Sequence, residues 1–292
     1  MAGKVSFTHP NKVLFLKLGI TRQDLGAYYR DIGSLMLPYL KERPCNLLRQ
    51  PHGIAGESFF QKNIEYPPDW LQTVKIYSES TQENVHYLVC KDLDHILYML
   101  QLGCIEINPW NSRVDHLGKP DWMVIDLDPE GLDFRAAVKV AKTVHQVFED
   151  WKIPANIKTS GKAGLHIFVP TGAKYSYKQV RKLAKAVAVE VNGREPKLTS
   201  VIRNPKKRRG KVYVDYLQNS EGQTLAAPYC VRPTPQASVS TPLHWDELET
   251  KLNPAQFTIK NIHKRIDSVG DLWKPVLGKS VDLEQTLKSL TS

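Results

Sequence analysis

Two aspartates separated by one residue, Asp126 and Asp128, sit inside the apolar run Trp122-Met-Val-Ile-Asp-Leu-Asp-Pro129. Such a run predicts a buried strand, and residues i and i+2 of a strand share a face. Both carboxylates are therefore expected side by side at the strand's carboxyl end, where Pro129 and Gly131 should stop the pairing. Adjacent buried negative charges repel unless a cation separates them, and hard carboxylate oxygens favour Mg²⁺ or Mn²⁺ over zinc. Asp-x-Asp also recurs by chance in acidic loops, so the pair alone does not define a metal site. A third acid, Asp215, lies in Lys211-Val-Tyr-Val-Asp-Tyr-Leu217. This second strand pattern puts Val212 and Val214 on one face and Tyr213 and Asp215 on the other.

Between the acidic strands, Ile157-Lys-Thr-Ser-Gly-Lys-Ala-Gly-Leu-His-Ile-Phe-Val169 reads as a β-hairpin closed by a glycine-bearing loop. Ser160 offers a hydroxyl and Lys162 a cation, while Gly161 and Gly164 let backbone N–H groups come close; the combination suits an anionic phosphate. His166 lies on the face opposite Leu165, Ile167 and Val169, where a hydrogen-bonded structural histidine is the commoner case. Three acids beside a phosphate cradle form a coherent set for two-metal phosphoryl transfer.

Taken in order, Asp126-x-Asp128, Ser160-Gly-x-x-Gly-x-His166 and Asp215 resemble the three motifs of the archaeo-eukaryotic primase superfamily. More closely, the chain resembles the polymerase domain of bacterial DNA ligase D. The likeness extends to His9-Pro-Asn-Lys-Val-Leu-Phe15, Phe59-Phe-Gln-Lys62, Glu106-Ile-Asn-Pro-Trp110, Tyr229-Cys-Val-Arg-Pro233 and Thr241-Pro-Leu-His-Trp-Asp-Glu-Leu248, nearly the whole chain. It implies an α+β primase-polymerase fold, with an RRM-like catalytic sheet, a second packed β-sheet and flanking helices, as one catalytic domain over residues 1–292. Residues up to about 110 would carry 5′-phosphate and template contacts, and those from about 111 onward the metal and nucleotide site.

By this resemblance, Asp126 and Asp128 bridge two divalent ions, Mn²⁺ or Mg²⁺, and Asp215 completes the site of the catalytic one. Ser160, His166 and Arg232 hold the nucleotide triphosphate, with Lys162 a further candidate. Phe59 and Phe60 stack on the templating base. Adjacent residues of a strand face opposite ways, so the sequence leaves core packing open for either ring. Lys12 and Arg22 grip the 5′-phosphate beyond a gap or break. Two positions depart from the family pattern. His9, the third member of that pocket, stands where a polar amide is commoner, and Asn108, near the metals, stands where histidine is common. Asparagine is a poorer transition-metal ligand and cannot shuttle a proton.

The implied function is template-directed primer extension at gaps and double-strand breaks in non-homologous end joining, with a preference for ribonucleotides. The implied partners are gapped or broken DNA ends, NTP or dNTP, and Ku with a ligase or nuclease domain in the same or another chain. A catalytically weak end-bridging module and another metal-dependent phosphodiesterase are the competing readings.

Composition agrees with this direction. Forty Lys and Arg against 30 Asp and Glu leave a formal charge of +10, which favours nucleic-acid phosphates but is also compatible with a merely basic protein. With 292 residues and 41% hydrophobic content the chain can bury a core without disulfides. Its four cysteines show no zinc spacing, no apolar run approaches membrane-spanning length, and no signal-peptide pattern appears. A protein of the cytoplasm, at the bacterial nucleoid, is expected.

The elements around these residues are legible too. Thr21-Arg-Gln-Asp24 forms a capping box for a helix that Pro38 and Pro44 should end, before a strand near residues 46–49. Residues 51–70 read as loop, 74–77 and 85–89 as strands, 91–102 as a helix capped by Asp92, and 104–107 as a strand. Asp133 should cap a long amphipathic helix, and a second helix should start near Ser176 and end near Gly193. Residues 203–211 form a cation-dense loop, 232–242 an extended surface segment, and residues 244–252 a helical region with short helices after residue 258.

Overall fold

The computed structural model describes residues 3–79, 81–249 and 251–289. Its first half begins with the short antiparallel pair β1 (Val13–Phe15) and β2 (Ile20–Thr21), leading into helix α1 (Arg22–Leu40). The capping box at its start is complete: Thr21 accepts from the Asp24 N–H and Asp24 accepts from the Thr21 N–H. A five-stranded sheet follows, built from β3 (Arg43–Arg49), β4 (Phe59–Gln61), β5 (Thr73–Ser78), β6 (Glu83–Cys90) and β7 (Cys104–Pro109), in the order β4-β3-β6-β5 with β7 also paired to β3. Helix α2 (Leu93–Gln101), capped by Asp92, packs along α1.

The second half is a six-stranded sheet. β8 (Trp122–Glu130) leads to helix α3 (Phe134–Asp150), then the hairpin β9 (Asn156–Thr159) and β10 (Leu165–Pro170), helix α4 (Tyr177–Arg194), β11 (Thr199–Ser200), β12 (Lys211–Asp215) and β13 (Pro242–Leu243). The strand order is β11-β12-β8-β10-β9-β13. Helices α5 (Ile262–Val269) and α6 (Leu283–Ser289) complete the described chain.

Alternation along β8 decides the architecture. Met123, Ile125 and Leu127 point to one face and pack with Val138, Val144, Leu183 and Val187 of α3 and α4. Each such buried side chain contributes roughly 1.5–3 kcal/mol. Trp122 and Val124 point the other way, into a second core shared with α1, α2 and the first sheet. Asp126 and Asp128 continue that second face. A register slip of one residue would turn both carboxylates into the helix-covered core.

Several expectations are corrected. Pro38 does not end α1, which runs on to Leu40. Only one turn is left to disturb, and it is held by the Lys41 N–H on the Leu37 carbonyl and by the Tyr39 hydroxyl on Asp271. Pro44 lies within β3, where only its carbonyl is needed, as acceptor for the Trp110 N–H. Residues 51–70 include the edge strand β4. β8 runs through Pro129, paired with Val212, and turns only at Gly131. The segment 232–242 is largely buried, because its small polar residues hydrogen-bond inside the fold: the Thr241 N–H donates to Thr159 Oγ1 and the Ser240 hydroxyl to the Thr159 carbonyl. In the stretch 244–252 the chain forms a single 3₁₀ turn, Trp245–Glu247, and residue 250 lies outside the described residues. All four cysteines are buried and free.

Candidate active site

The sheet ladder assembles the acids. Asp126 stands directly opposite His166 of β10 on one side and Asp215 of β12 on the other. Cross-strand partners share a face, so the three form a row, with Asp128 beside them on β8. A cleft of about 370 Å³ is lined by Asp126, Asp128, Ser160, Lys162, His166 and Arg232, together with Phe60, Glu106 and Asn108. A larger open groove of about 1410 Å³, between His145, Trp151, Trp245 and Val281, contains none of these groups.

Asp126 is 4% exposed and its Oδ1 has no hydrogen-bond partner; the nearest donor, His166 Nε2, is 3.5 Å away. Burial pushes its carboxyl well above the ordinary range, and the charges of Asp128 and Asp215 add to the effect. Asp215 is better served, accepting from the Leu217 N–H at 2.7 Å and the Tyr213 hydroxyl at 3.1 Å. Asp128 lies at the exposed rim. Among the described residues no three Asp, Glu, His or Cys side chains converge as a finished metal cage. The orphaned oxygen of Asp126, beside the carboxylates of Asp128 and Asp215, nonetheless fits a hard divalent cation, which would relieve both burial and repulsion.

Folding that raises a carboxyl pKa favours the protonated form, so this contribution is full below the ordinary carboxyl range and is lost as pH rises through the raised value. At neutral pH, without divalent ions, ionised Asp126 destabilises the fold. Asp126→Asn is therefore expected to raise the melting temperature of metal-free protein at pH 7, by about 2–4 °C for each kcal/mol of strain removed, and to lose that advantage near pH 4. Thermal scans at both pH values check this; an unchanged or lowered value at pH 7 would mean the carboxylate is not strained.

Behind His166 lies Lys158, fully buried, with Nζ donating to the Ala226 carbonyl at 2.9 Å, Ser240 Oγ at 2.7 Å and His166 Nδ1 at 2.7 Å. Three acceptors match the three ammonium hydrogens. Burial and then Arg232 push that ammonium's pKa down, while Asp126 opposes the shift. With Nδ1 accepting, the imidazole proton is assigned to Nε2, facing Asp126. Burial, then the charges of Lys158 and Arg232, holds the ring well below its usual pKa and hence neutral.

Opposite the acids, Arg232 is fixed by Nε donating to Glu106 Oε2 at 3.0 Å and by Nη1 donating to the Ser160 carbonyl. Lys162 Nζ also reaches Glu106 Oε2, at 3.4 Å, and Asn108 donates to Glu106 Oε1 at 3.1 Å. Burial alone would raise the Glu106 carboxyl, but Arg232 and Lys162 outweigh it and hold it below its ordinary range. The hairpin loop is tight. A Cβ on Gly164 would lie 2.4 Å from the Leu127 carbonyl oxygen, and one on Gly161, at φ +74°, 2.6 Å from Arg232 Cγ. Two of the loop's N–H groups are engaged within it: those of Lys162 and Gly164 donate to Ser160 Oγ at 3.1 and 3.0 Å.

Phe59 and Phe60 are 45% and 67% exposed on edge strand β4, so neither is core. Phe60 borders the cleft, and Phe59 lies under the Arg49 guanidinium at 5.2 Å. Of the cation-dense loop, Arg208 folds back over the Tyr213 ring at 3.7 Å and pairs with Glu130 at 3.3 Å; Arg203, Lys206, Lys207 and Arg209 are exposed.

Away from the cleft, His9, Pro10, Asn11 and Lys12 line a shallow pocket. Arg22 is joined to it through its N–H on the Lys12 carbonyl at 2.9 Å. Its guanidinium, 5% exposed, donates to the Thr8 carbonyl, and its Nε lacks a partner. Lys12 is thus the accessible cation of the pair, and Arg22 braces the turn that carries it.

A family model for the LigD primase-polymerase domain matches residues 21–273. The chain belongs to the LigD primase-polymerase family. The bifunctional non-homologous end joining protein LigD of Bacillus subtilis is 32% identical over 271 residues, covering 91% of this chain and 43% of that protein. The multifunctional LigD of Pseudomonas aeruginosa is 28% identical, covering 94% of the chain and 33% of that protein. This chain therefore spans less than half the length of these relatives. Among solved structures, the polymerase domain of Mycobacterium tuberculosis ligase D in complex with DNA superposes with a TM-score of 0.86 at 27% identity, covering 96% of this chain and 100% of that one. The α+β architecture is that of the LigD polymerase domain. Among the described residues no helix is long and apolar enough to cross a membrane.

Two charged residues of this LigD-family cleft escape a reading of the sequence for roles. Glu106 anchors both cations, and Lys158 fixes the His166 tautomer. A signal for Glu106 existed: it shares strand parity with Asn108, as Asp126 does with Asp128. Lys158 stands directly opposite His166 in the ladder, but pairing is invisible until the hairpin register is known.

Proposed function

We propose that this chain extends DNA primers by template-directed nucleotidyl transfer at gaps and broken ends, using nucleoside triphosphates and two divalent ions, Mn²⁺ or Mg²⁺. The observation that carries this reading is that Asp126 and Asp128 share one cleft with the anchored cations Arg232 and Lys162, while Asp215 stands beside Asp126 in the ladder. The three aspartates would hold the ions, which when bound lower the pKa of the primer 3′-hydroxyl and neutralise charge on the triphosphate. Arg232 and Lys162, fixed on Glu106, offer a polyphosphate a positive charge that needs no reorganisation on binding. Ser160 and His166 border the same space, the ring donating from Nε2. Asn108 holds Glu106 in place and so acts here through a hydrogen bond.

The exposed Phe60 at the cleft rim supports stacking on a templating base. Phe60→Ala is expected to reduce templated addition by roughly 5–150-fold, the equivalent of about 1–3 kcal/mol, with an unchanged melting temperature. Phe59→Ala should cost less, since Arg49 already covers that ring. A large fall in melting temperature with activity intact would return either ring to a packing role.

Lys12, braced by Arg22 and with His9 alongside, supports recognition of a downstream 5′-phosphate. The test is a one-nucleotide gap carrying either a 5′-phosphate or a 5′-hydroxyl. Tighter binding and faster filling of the phosphorylated gap are expected, the advantage shrinking as salt rises. The Lys12→Ala, Arg22→Ala double variant should lose the discrimination. If it keeps the full preference, the phosphate pocket lies elsewhere.

A further inference from the structure

We propose that His52 completes the 5′-phosphate pocket as a positioning residue, holding the Lys12 ammonium in place to meet the bound phosphate. The inference rests on the reading of Lys12 as a phosphate ligand. Lys12 Nζ and His52 Nδ1 are 3.3 Å apart, although 40 residues separate them in the chain. An ammonium can only donate, so Nδ1 accepts, and the ring proton is left on Nε2 to point elsewhere. His52 is exposed. Among the described residues Lys12 forms no ion pair with a carboxylate, so the imidazole is the group that orients it without neutralising it.

The backbone builds this meeting. Gly53, at φ +78°, approaches β1 so closely that a Cβ there would lie 2.5 Å from the Leu14 carbonyl oxygen. The Ile54 N–H donates to that same carbonyl at 2.9 Å, and the Gly53 N–H to the Gln50 carbonyl at 2.9 Å. The loop bearing His52 is therefore docked on β1, the strand that starts immediately after Lys12. On the other side, the Lys12 N–H donates to the His9 carbonyl at 3.0 Å, and the Arg22 N–H holds the Lys12 carbonyl at 2.9 Å. Both partners are placed by main-chain contacts, so the pair meets before any DNA arrives. A terminal phosphate offers the remaining hydrogens of the oriented ammonium a full negative charge and several acceptor oxygens, whereas a 5′-hydroxyl offers only one neutral acceptor.

The test is equilibrium binding to gapped duplexes differing only in the downstream 5′ group, read as the ratio of the hydroxyl Kd to the phosphate Kd at fixed salt. His52→Leu should cut that ratio about fivefold, the order of one net hydrogen bond. His52→Gln, whose amide can accept from Lys12, should keep most of it. On a Lys12→Met background His52→Leu should cost nothing further, because the two act together. A wild-type ratio near one would sink the 5′-phosphate pocket itself. A high wild-type ratio untouched by His52→Leu would overturn the role of His52 alone and leave the pocket standing. A Gln variant as impaired as Leu, or additive losses with Lys12→Met, would equally overturn the hydrogen-bonded pair.

Discussion

Replacing Asp126 or Asp128 by alanine is expected to lower single-turnover primer extension by at least about a thousandfold, the equivalent of about 4 kcal/mol in the barrier, while gapped-duplex binding changes little. The two effects separate because they arise in different places. The carboxylates stand in a single row set by the β8 register, one of them with an unpartnered oxygen in a buried site. DNA attraction is expected to come instead from a formal charge of +10 that includes the exposed Arg203, Lys206, Lys207 and Arg209. Removing one acid takes away an ion ligand and the alignment it enforces, and leaves the basic surface whole. Extension within tenfold of wild type, in either variant, would remove these carboxylates from the chemistry.

Arg232→Met should be nearly as severe, in two measurable ways. Loss of a fixed charge-assisted contact to the triphosphate is expected to weaken nucleotide binding by roughly a hundredfold. The same change strips Glu106 of its buried partner. Breaking such a pair costs about 3–5 kcal/mol, and the lower end applies because Lys162 and Asn108 still reach Glu106. Adding Glu106→Gln to Arg232→Met removes the stranded charge, so the melting temperature should recover while nucleotide binding stays poor. Recovery of both together would make Arg232 a structural residue only. Failure of the double variant to regain stability would show that the pair is not what Arg232 supports.

The strand parity of Asp126, Asp128 and Asp215, the hairpin around Ser160, the caps at Thr21, Asp92 and Asp133, and the helix start near Ser176 were all legible in the sequence, because each depends on residues a few positions apart. What stayed hidden depends on tertiary pairing. The Ser-, Thr- and Pro-rich stretch 232–242 looks solvated by composition, yet it is bonded to β9: the Ser240 hydroxyl donates to the Thr159 carbonyl and accepts from Lys158, and the Thr241 N–H donates to Thr159 Oγ1. Glu106 and Arg232 are 126 residues apart, so nothing local announces that one anchors the other. Phe59 and Phe60 could not be assigned to core or surface until β4 proved to be an edge strand.

The central claim is a templated polymerase at the Asp126 cleft, and single-nucleotide incorporation into a one-nucleotide gap tests it most directly. Wild-type protein would be given each of the four templating bases in turn, with Mn²⁺ and all nucleotides, beside a control lacking nucleotides. Addition of the complementary nucleotide opposite every template base, with the primer unchanged in the control, is expected. Primer shortening in the control would reveal a nuclease, and tight end binding with no extension a bridging module; either result would contradict a polymerase.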